Sequence, residues 1–333
     1  MKKLALFVAV VLLVSITGLF ADDAKVLPSR VIRLTTAPTY IFTTGEYDDK
    51  GKFNEKKSGE GNAQAFNLGF ALEYGVNDFI SAAVQWAPGW TLWSEVDTDE
   101  YPQKVNVNGL FDLFAGAKIQ LVGSAAPVKS DTIRLAIAPG VKIPMPGVDF
   151  KAQGDKAMYG QDFTGSELEK HAWGFGGRFY TDFILSEAFY INVYAEYIQY
   201  LERKGVVLMP VPSMMAGMAT VDVNYGYDLT FELEPHFDAS LGDGIIFGAG
   251  VPLRYKMAPA TKAKGLMKDL YFENDILNSK STSTLSISPS INFFFMKAFI
   301  PTEIGVNYNI PLYGTSSTAA HSVTLKIKNY MKF

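Results

Sequence analysis

The stretch VDVNYGYDLTFELE, residues 221–234, sorts its side chains with a period of two. Every second residue from Val221 is apolar or aromatic, and every second residue from Asp222 is polar, acidic or glycine. A period of two is that of a β-strand, whose successive side chains point to opposite faces. The stretch therefore predicts a long strand with one face in an apolar environment and the other in water.

The same alternation recurs in about twelve segments along the chain. Most of them have about 10–14 residues, which fits tilted strands that cross a bilayer better than the strands of soluble proteins, which average about 5–6. The segments lie at 31–43, 66–74, 79–90, 109–122, 132–144, 172–185, 189–197, 221–234, 245–255, 284–296, 299–312 and 322–333.

The connections between these segments alternate in length. The short or medium ones are 75–78, 123–131, 185–188, 241–244 and 296–298, and the long ones are 45–62, 91–108, 145–170, 202–220 and 258–283; the last connection, 313–320, is short again. Short turns on one rim and long loops on the other are typical of an outer-membrane β-barrel. The fold class predicted is thus all-β, an antiparallel transmembrane barrel of about twelve strands with both termini periplasmic. The alternative is a soluble β-sandwich, which would have shorter strands and no systematic difference between its two ends.

The N-terminus has the layout of a secretory signal peptide. Lys2 and Lys3 precede an apolar run from Leu4 to Val14, and small and polar residues follow as far as Ala21. That run is shorter than the roughly 20 residues of a membrane-spanning helix. We expect residues 1–21 to be removed near Ala21 and residues 22–333 to form a single barrel domain in the outer membrane of a diderm bacterium.

Composition and motifs exclude several functional classes. The net charge of −4 argues against a nucleic-acid partner, and the chain has no cysteine. His171, His236 and His321 stand apart without metal-ligand spacing, so we expect no metal and no cofactor. His321 and Ser322 are adjacent and would point to opposite faces of a strand, which is the wrong geometry for a base and its nucleophile. GFGGR (174–178) is interpreted as a close-packed strand, because no helix pattern follows it. No enzyme is predicted.

The polar face supplies candidate lumen-lining residues, with acids concentrated on the seventh and eighth strands. These are Arg134, Arg178, Glu196, Asp222, Asp228, Glu232, Arg254 and Lys326. Opposed charges across a narrow pore can orient solutes. Alternatively, the same groups pair with one another and fill a lumen that is too narrow to conduct.

Two long loops carry apolar residues. The first, GVVLMPVPSMMAGMATV (205–221), contains Met209, Met214, Met215 and Met218, and the second contains Leu266, Leu270 and Tyr271 at helical spacing. Methionine-rich surfaces adapt to varied apolar partners, so these seven residues form a candidate apolar loop patch at the outer mouth. The alternative is that the strands extend above the membrane and the first loop packs on itself.

The last strand predicts a partner in assembly. Val323, Leu325, Ile327, Met331 and Phe333 share its apolar face, with Asn329 as an interruption. A terminal aromatic residue on such a strand resembles the signal that outer-membrane assembly machinery reads. The other partners expected are outer-membrane lipid and a small-molecule solute.

One pair of strands resembles a known family. NGLFDLFAGAKIQLV (108–122) and DTIRLAIAPGVKIPMPG (131–147) contain Gly109, Asp112, a Gly-Ala-Lys run at 116–118 and a Val-Lys-x-Pro run at 141–144. These features resemble the outer-membrane family called putative MetA-pathway of phenol degradation and, more distantly, the FadL-type transporters of hydrophobic compounds. FadL-type barrels have fourteen strands where we count about twelve, and residues 22–29 are short for their N-terminal plug.

The function expected is a channel that passes small, hydrophobic or aromatic molecules by passive diffusion. Two alternatives remain at this point. One is a non-transporting surface barrel whose loops mediate adhesion or interaction, and the other is a general porin for polar solutes.

Overall fold

A computed structural model describes residues 23–57, 60–98, 109–146, 170–209, 217–264 and 280–333. Over these ranges the regular structure is entirely β, and no helix there has the length and apolar character to cross a membrane. The strands are β1 (Val31–Tyr47), β2 (Phe53–Glu55), β3 (Glu60–Asn77), β4 (Ile80–Thr98), β5 (Gly109–Leu110), β6 (Leu113–Val122), β7 (Ile133–Ile143), β8 (Gly174–Ile184), β9 (Phe189–Tyr200), β10 (Arg203–Met209), β11 (Gly217–Asn224), β12 (Tyr227–Gly242), β13 (Ile245–Gly250), β14 (Leu253–Ala258), β15 (Lys262–Lys264), β16 (Thr282–Ile287), β17 (Ser290–Phe295), β18 (Thr302–Thr315) and β19 (Ser317–Lys332).

The main sheet closes on itself. β19 pairs with β18 on one side and with β1 on the other, so the first and last strands meet. Counting β13 with β14 and β16 with β17 as single interrupted strands, the closed antiparallel barrel of the described residues has 12 strands. Closure leaves no strand edge open to hydrocarbon, which is the condition for strands to cross a bilayer. The predicted fold class is confirmed.

The ninth and tenth barrel strands are interrupted at prolines. β13 gives way to β14 at Val251 and Pro252, and β16 to β17 at Ser288 and Pro289. A proline has no N–H to donate to a ladder. The neighbouring amides still donate across the gaps, from Val251 to the carbonyl of Pro235 at 3.2 Å and from Ser288 to that of Pro252 at 2.9 Å. The wall therefore remains bonded across both interruptions.

The stretch 221–234 belongs to two strands rather than one. β11 ends at Asn224, β12 begins at Tyr227, and Gly226 between them has a positive φ of 68°. β11 pairs with β10 and β15 in a separate 3-stranded sheet. This second sheet continues the seventh, eighth and ninth barrel strands on the long-connection side, because each of its strands adjoins one of them in sequence.

Connection lengths alternate as predicted. The turns on the short rim include 185–188 and the pair Asp243–Gly244, both with positive φ. The last connection is reduced to Ser316, also at positive φ. The barrel strands that precede the long connections, β1, β4, β7, β9 and β14, end on the opposite rim.

The two faces of β12 show how the wall is oriented. Phe231 and Leu233 are 47% and 48% exposed, whereas Thr230 and Glu232 between them are buried. The apolar set therefore faces outward, toward lipid, and the polar set faces the lumen. On β19, Asn329 belongs to the outward set, and its side-chain oxygen accepts a hydrogen bond from Thr302 Oγ1 at 3.0 Å. The interruption in the apolar row is thus a satisfied polar group.

One side of the lumen is lined by short side chains. We call the neutral lumen-facing side chains at the centre of β1, β3 and β19 the small-residue wall, and all of them are buried: Thr35, Ala37, Thr39, Asn67, Ala71, Ser322 and Thr324. Its bonds are between neutral groups, as between the hydroxyls of Thr39 and Thr324 at 3.0 Å. Short side chains here leave room for the longer ones of the opposite side.

Candidate functional site in the lumen

The opposite side carries charged and aromatic side chains. We call the lumen-facing residues of β7, β8, β9, β12 and β14 the charged wall. Antiparallel pairing places residues of neighbouring strands directly opposite each other, which brings their side chains within contact distance. The register therefore decides which charges of neighbouring strands meet. The described residues of this wall form four groups of charges, of which the last lies along a single strand.

The first group surrounds Asp182. Arg134 on β7 and Asn192 on β9 both lie opposite Asp182 of β8 in the register. Asn192 Nδ2 donates to one carboxylate oxygen at 2.7 Å, and Arg134 Nε lies 2.7 Å from the other. The Asp182 side chain has no exposed surface. A carboxylate this buried is stable as an anion only because these partners compensate its charge.

The second group joins Arg178 to Glu196, again opposite each other in β8 and β9. Arg178 Nε donates to Glu196 Oε2 at 2.5 Å, and its Nη1 reaches across to Gln85 Oε1 on β4, also at 2.5 Å. Tyr194 OH donates to the same carboxylate oxygen at 3.0 Å, and the guanidinium lies 3.8 Å from the ring centre of Phe114. Arg178 therefore links its neighbour Glu196 on β9 to Gln85 on β4, which is three strands away in the sheet.

The third group lies near the long-connection rim and the centre. Asp228 accepts hydrogen bonds from Lys170 and, at 2.8 Å, from Tyr200 OH. Arg254 Nε donates to Glu232 Oε2 at 2.5 Å, and these two residues are register partners in β12 and β14. Glu232 has no exposed side-chain surface.

The fourth group, centred on His236, was not among the predicted site residues. His236 Nδ1 lies 3.0 Å from Glu234 and Nε2 lies 3.1 Å from Asp238, all three on one face of β12. Its ring stacks on Tyr190 with centres 4.8 Å apart. Carboxylates at both ring nitrogens favour the imidazolium, since each nitrogen then donates a proton. A period-two count from Glu234 could have found this group. Across the described residues no cluster of metal-ligating side chains occurs.

The two remaining predicted lumen residues lie in different sheets. Lys326 lies on β19 opposite Gly305, in the same inward set as Lys328, which forms an ion pair with Glu303 at 3.1 Å. Asp222, in contrast, lies on β11 in the second sheet, where it pairs in register with Lys204 and Lys264. Its assignment to the barrel lumen was wrong, because the alternation continues unbroken across the turn at 225–226.

The apolar loop patch is mostly outside the described residues. Met214, Met215, Leu266, Leu270 and Tyr271 lie there. Met209 is the last residue of β10 and Met218 the second residue of β11, and their backbones pair with Gly217 and Leu208. Strands seven and eight therefore do extend beyond the barrel, as the alternative reading of this loop expected.

A short N-terminal segment, residues 23–30, enters the lumen. Ala24 is fully buried and packs against Ala136, Ala138, Tyr180 and Tyr194, all from the inward faces of β7, β8 and β9. Its amide donates to both oxygens of Asp182, at 3.2 and 3.1 Å. The segment, although short compared with the plug of FadL-type barrels, thus occupies space inside the barrel, which the sequence count did not predict.

Comparison with known proteins identifies the architecture. No protein-family model and no curated protein matches the chain. Among solved structures, the COG4313 outer membrane channel from Pseudomonas putida F1 is similar, with a TM-score of 0.65 and 11% identity over 94% of this chain and 100% of that one. A FadL homologue from Pseudomonas aeruginosa has a TM-score of 0.42 and 9% identity over 92% and 90%, and the monoaromatic hydrocarbon channel TodX (a deltaS2 mutant) has 0.44 and 9% over 92% and 91%.

The closed wall, its apolar outer face and the similarity to a barrel of the same architecture define the class: an outer-membrane β-barrel. The fold that the family resemblance implied is confirmed.

Proposed function

We propose that the protein is an outer-membrane channel that passes small molecules with an aromatic or apolar body by passive diffusion. The fold supports a passage along the barrel axis, and the structurally similar Pseudomonas putida protein is named a channel. The observation that carries the proposal is a row of tyrosines on the charged wall.

The row runs along the whole depth of the lumen. Tyr190, Tyr194 and Tyr200 lie on the inward face of β9, and Tyr180 lies beside them on β8. Ten residues of strand separate the first from the last on β9, about 33 Å at 3.3 Å per residue. A tilted strand needs about 9–11 residues to cross the hydrocarbon core, so the row covers the membrane-spanning length of β9. Tyr180 and Tyr194 are buried against Ala24, so an aromatic solute that displaces residues 23–30 would meet these rings as it crosses.

Contacts to charged groups hold these rings in place. Tyr194 and Tyr200 donate to Glu196 and Asp228, and Lys118 Nζ lies 4.1 Å from the centre of the Tyr180 ring. Stacking on one aromatic ring contributes about 0.5–1.5 kcal/mol. Contacts this weak slow a solute without trapping it, which is the behaviour required for passive passage.

The test is single-channel recording with hydroxybenzyl alcohol, a water-soluble aromatic probe. Brief current blockades should appear, and Tyr194→Leu should shorten them about fivefold, the effect of about 1 kcal/mol. Tyr197→Leu, which changes a ring on the outward face, should leave them unchanged. Folded protein that carries no current, or blockades of equal length in both variants, would contradict the proposal.

The apolar loop patch belongs to the same proposal as a capture surface at the outer mouth. Its support is the sequence, together with the second sheet that carries the backbones of Met209 and Met218 beyond the barrel. Replacing Met209, Met214, Met215 and Met218 by serine should lower uptake of hydrophobic compounds by cells and leave ion conductance unchanged. Unchanged uptake would show that these methionines do not capture solutes.

The second sheet also favours another candidate function, interaction at the cell surface. β10, β11 and β15 extend three adjacent barrel strands on the long-connection side. A barrel that serves only to present this sheet would carry no solute, so the current recordings above separate the two functions.

Assembly through the C-terminus is a further part of the proposal. Phe333 is 73% exposed and its amide donates to the carbonyl of Arg30 at 3.0 Å, at the seam between the last and first strands. Removing residues 331–333 should impair membrane insertion while export continues. Normal heat-modifiable migration of the shortened protein would argue against a role in assembly.

A further inference from the structure

Side chains of the barrel wall bind both polar atoms of one peptide group in the N-terminal segment. The carbonyl of Asp23 and the N–H of Ala24 belong to the same amide. Lys118 Nζ donates to that carbonyl, and both carboxylate oxygens of Asp182 accept from that N–H, at 3.2 and 3.1 Å. A cation and an anion on the barrel wall therefore satisfy the acceptor and the donor of a single secondary amide.

The apolar part of the same unit is also enclosed. The methyl group of Ala24 lies among Ala136, Ala138, Tyr180 and Tyr194, and the residue has no exposed surface. Two of these neighbours are alanines, so the space beside the amide nitrogen suits a group of one or two carbons. A larger group would meet the two tyrosine rings.

The site is part of the wall and does not depend on the segment for its shape. Lys118 lies on β6, Ala136 and Ala138 on β7, Asp182 and Tyr180 on β8, and Tyr194 on β9, which are adjacent strands joined by continuous ladders. Asp182 is fixed independently by Asn192 and Arg134, and Lys118 lies over the Tyr180 ring. These contacts would persist if residues 23–26 moved away.

We propose that this cradle is a binding site for small secondary amides with a short apolar group on nitrogen, and that the N-terminal segment is its resident competitor. An ester of the same shape lacks the N–H that Asp182 accepts. A carboxylate would be repelled by Asp182, and an amine offers no acceptor to Lys118. The inference goes beyond the proposed passage of aromatic solutes, because binding at equilibrium requires no transport.

The test compares N-ethylacetamide with ethyl acetate, which has the same shape but no N–H. Both are titrated by ligand-observed NMR against the refolded full chain in detergent micelles. Ala24→Pro removes the segment's own N–H and so weakens the competitor. This variant should bind the amide about tenfold more tightly than the ester, the effect of one hydrogen bond to a buried charged acceptor. The unchanged protein should bind the amide more weakly than the variant does.

A second change locates the binding. Ala136→Leu, added to Ala24→Pro, fills the space beside the amide nitrogen and should abolish amide binding. Ile137→Leu is the matched control, because the next side chain along β7 faces outward. Heat-modifiable migration shows which variants are folded. Ala24→Gly keeps the N–H and removes only the methyl, so its affinity for the amide should lie between those of the unchanged protein and Ala24→Pro.

Two results would overturn the inference: equal affinity of Ala24→Pro for amide and ester, or amide binding that survives Ala136→Leu. If aromatic blockades occur without an amide preference, only the cradle is refuted. If the amide binds and no current flows, the proposed channel function fails and the cradle stands.

Discussion

The small-residue wall and the charged wall face each other across one lumen and are both buried, yet they are built differently. The side chains of Thr39 and Thr324, on neighbouring strands, contact each other through one bond between their hydroxyls. Arg254 and Glu232, in contrast, join two strands through an ion pair in which the carboxylate has no exposed surface. The two sets of side chains are therefore equally buried, but the charged ones depend more strongly on their partners.

The difference follows from what each group loses on leaving water. An isolated hydroxyl in the interior lacks about one hydrogen bond, whereas an unpaired ion lacks most of its solvation. The charged wall can thus provide strong, directional contacts for a solute, but each of its members must remain paired. Variants of the two walls should rank accordingly.

The largest effect is expected when a buried pair is broken. Arg254→Met leaves Glu232 without its cation and should lower the free energy of unfolding by about 3–5 kcal/mol. Urea unfolding of the refolded barrel in lipid vesicles measures it. Adding Glu232→Gln should recover most of the loss, because the uncompensated charge is removed. A loss below about 1 kcal/mol for the single variant would show that water reaches the pair.

Next in size is a charge on the outer face. Leu233 lies midway along β12 and points toward lipid. Leu233→Lys should therefore lower the free energy of unfolding by about 2–4 kcal/mol in the same assay. Leu233→Met is the neutral control. A lysine tolerated at this position would mean that the face does not contact hydrocarbon.

A smaller loss is expected from close packing within the charged wall. A Cβ at Gly176 would overlap the carbonyl oxygen of Tyr197 on the neighbouring strand, so Gly176→Ala should cost about 1–3 kcal/mol. The adjacent Gly177→Ala is the control, since its nearest neighbour would be at an ordinary 3.4 Å. Equal effects of the two changes would indicate that β8 shifts freely. This packing agrees with the interpretation of GFGGR as a strand.

The smallest effect is expected on the small-residue wall. Thr39→Val removes the bond between the two hydroxyls and a 3.3 Å bond from Thr39 Oγ1 to the carbonyl of Ala37, and should lower the free energy of unfolding by about 0.5–1.5 kcal/mol for each bond. Thr324→Val removes only the bond between the hydroxyls and should cost less, and the double variant should lose little more than Thr39→Val, because the two hydroxyls share one bond. A loss comparable with that of Arg254→Met would remove the distinction between the walls.

The alternation of side chains predicted the barrel well and its local breaks poorly. It assigned Phe231 and Glu232 to the correct faces, because face depends only on whether a position is odd or even along an extended chain. The same count passed through the turn at Gly226 without a change of phase. For that reason it assigned Asp222 to the lumen, whereas the residue lies in a second sheet.

The sequence by itself determined the strands, their two faces and the alternation of short and long connections, since each of these depends on neighbouring residues alone. Only the tertiary structure decided which charges meet, such as Arg178 with Glu196, and that Ala24 is held by Asp182. The pairing of charges depends on the register between strands, which is fixed by closure of the whole sheet. The position of residues 23–30 depends on the cavity that closure creates, and no periodicity within those few residues records it.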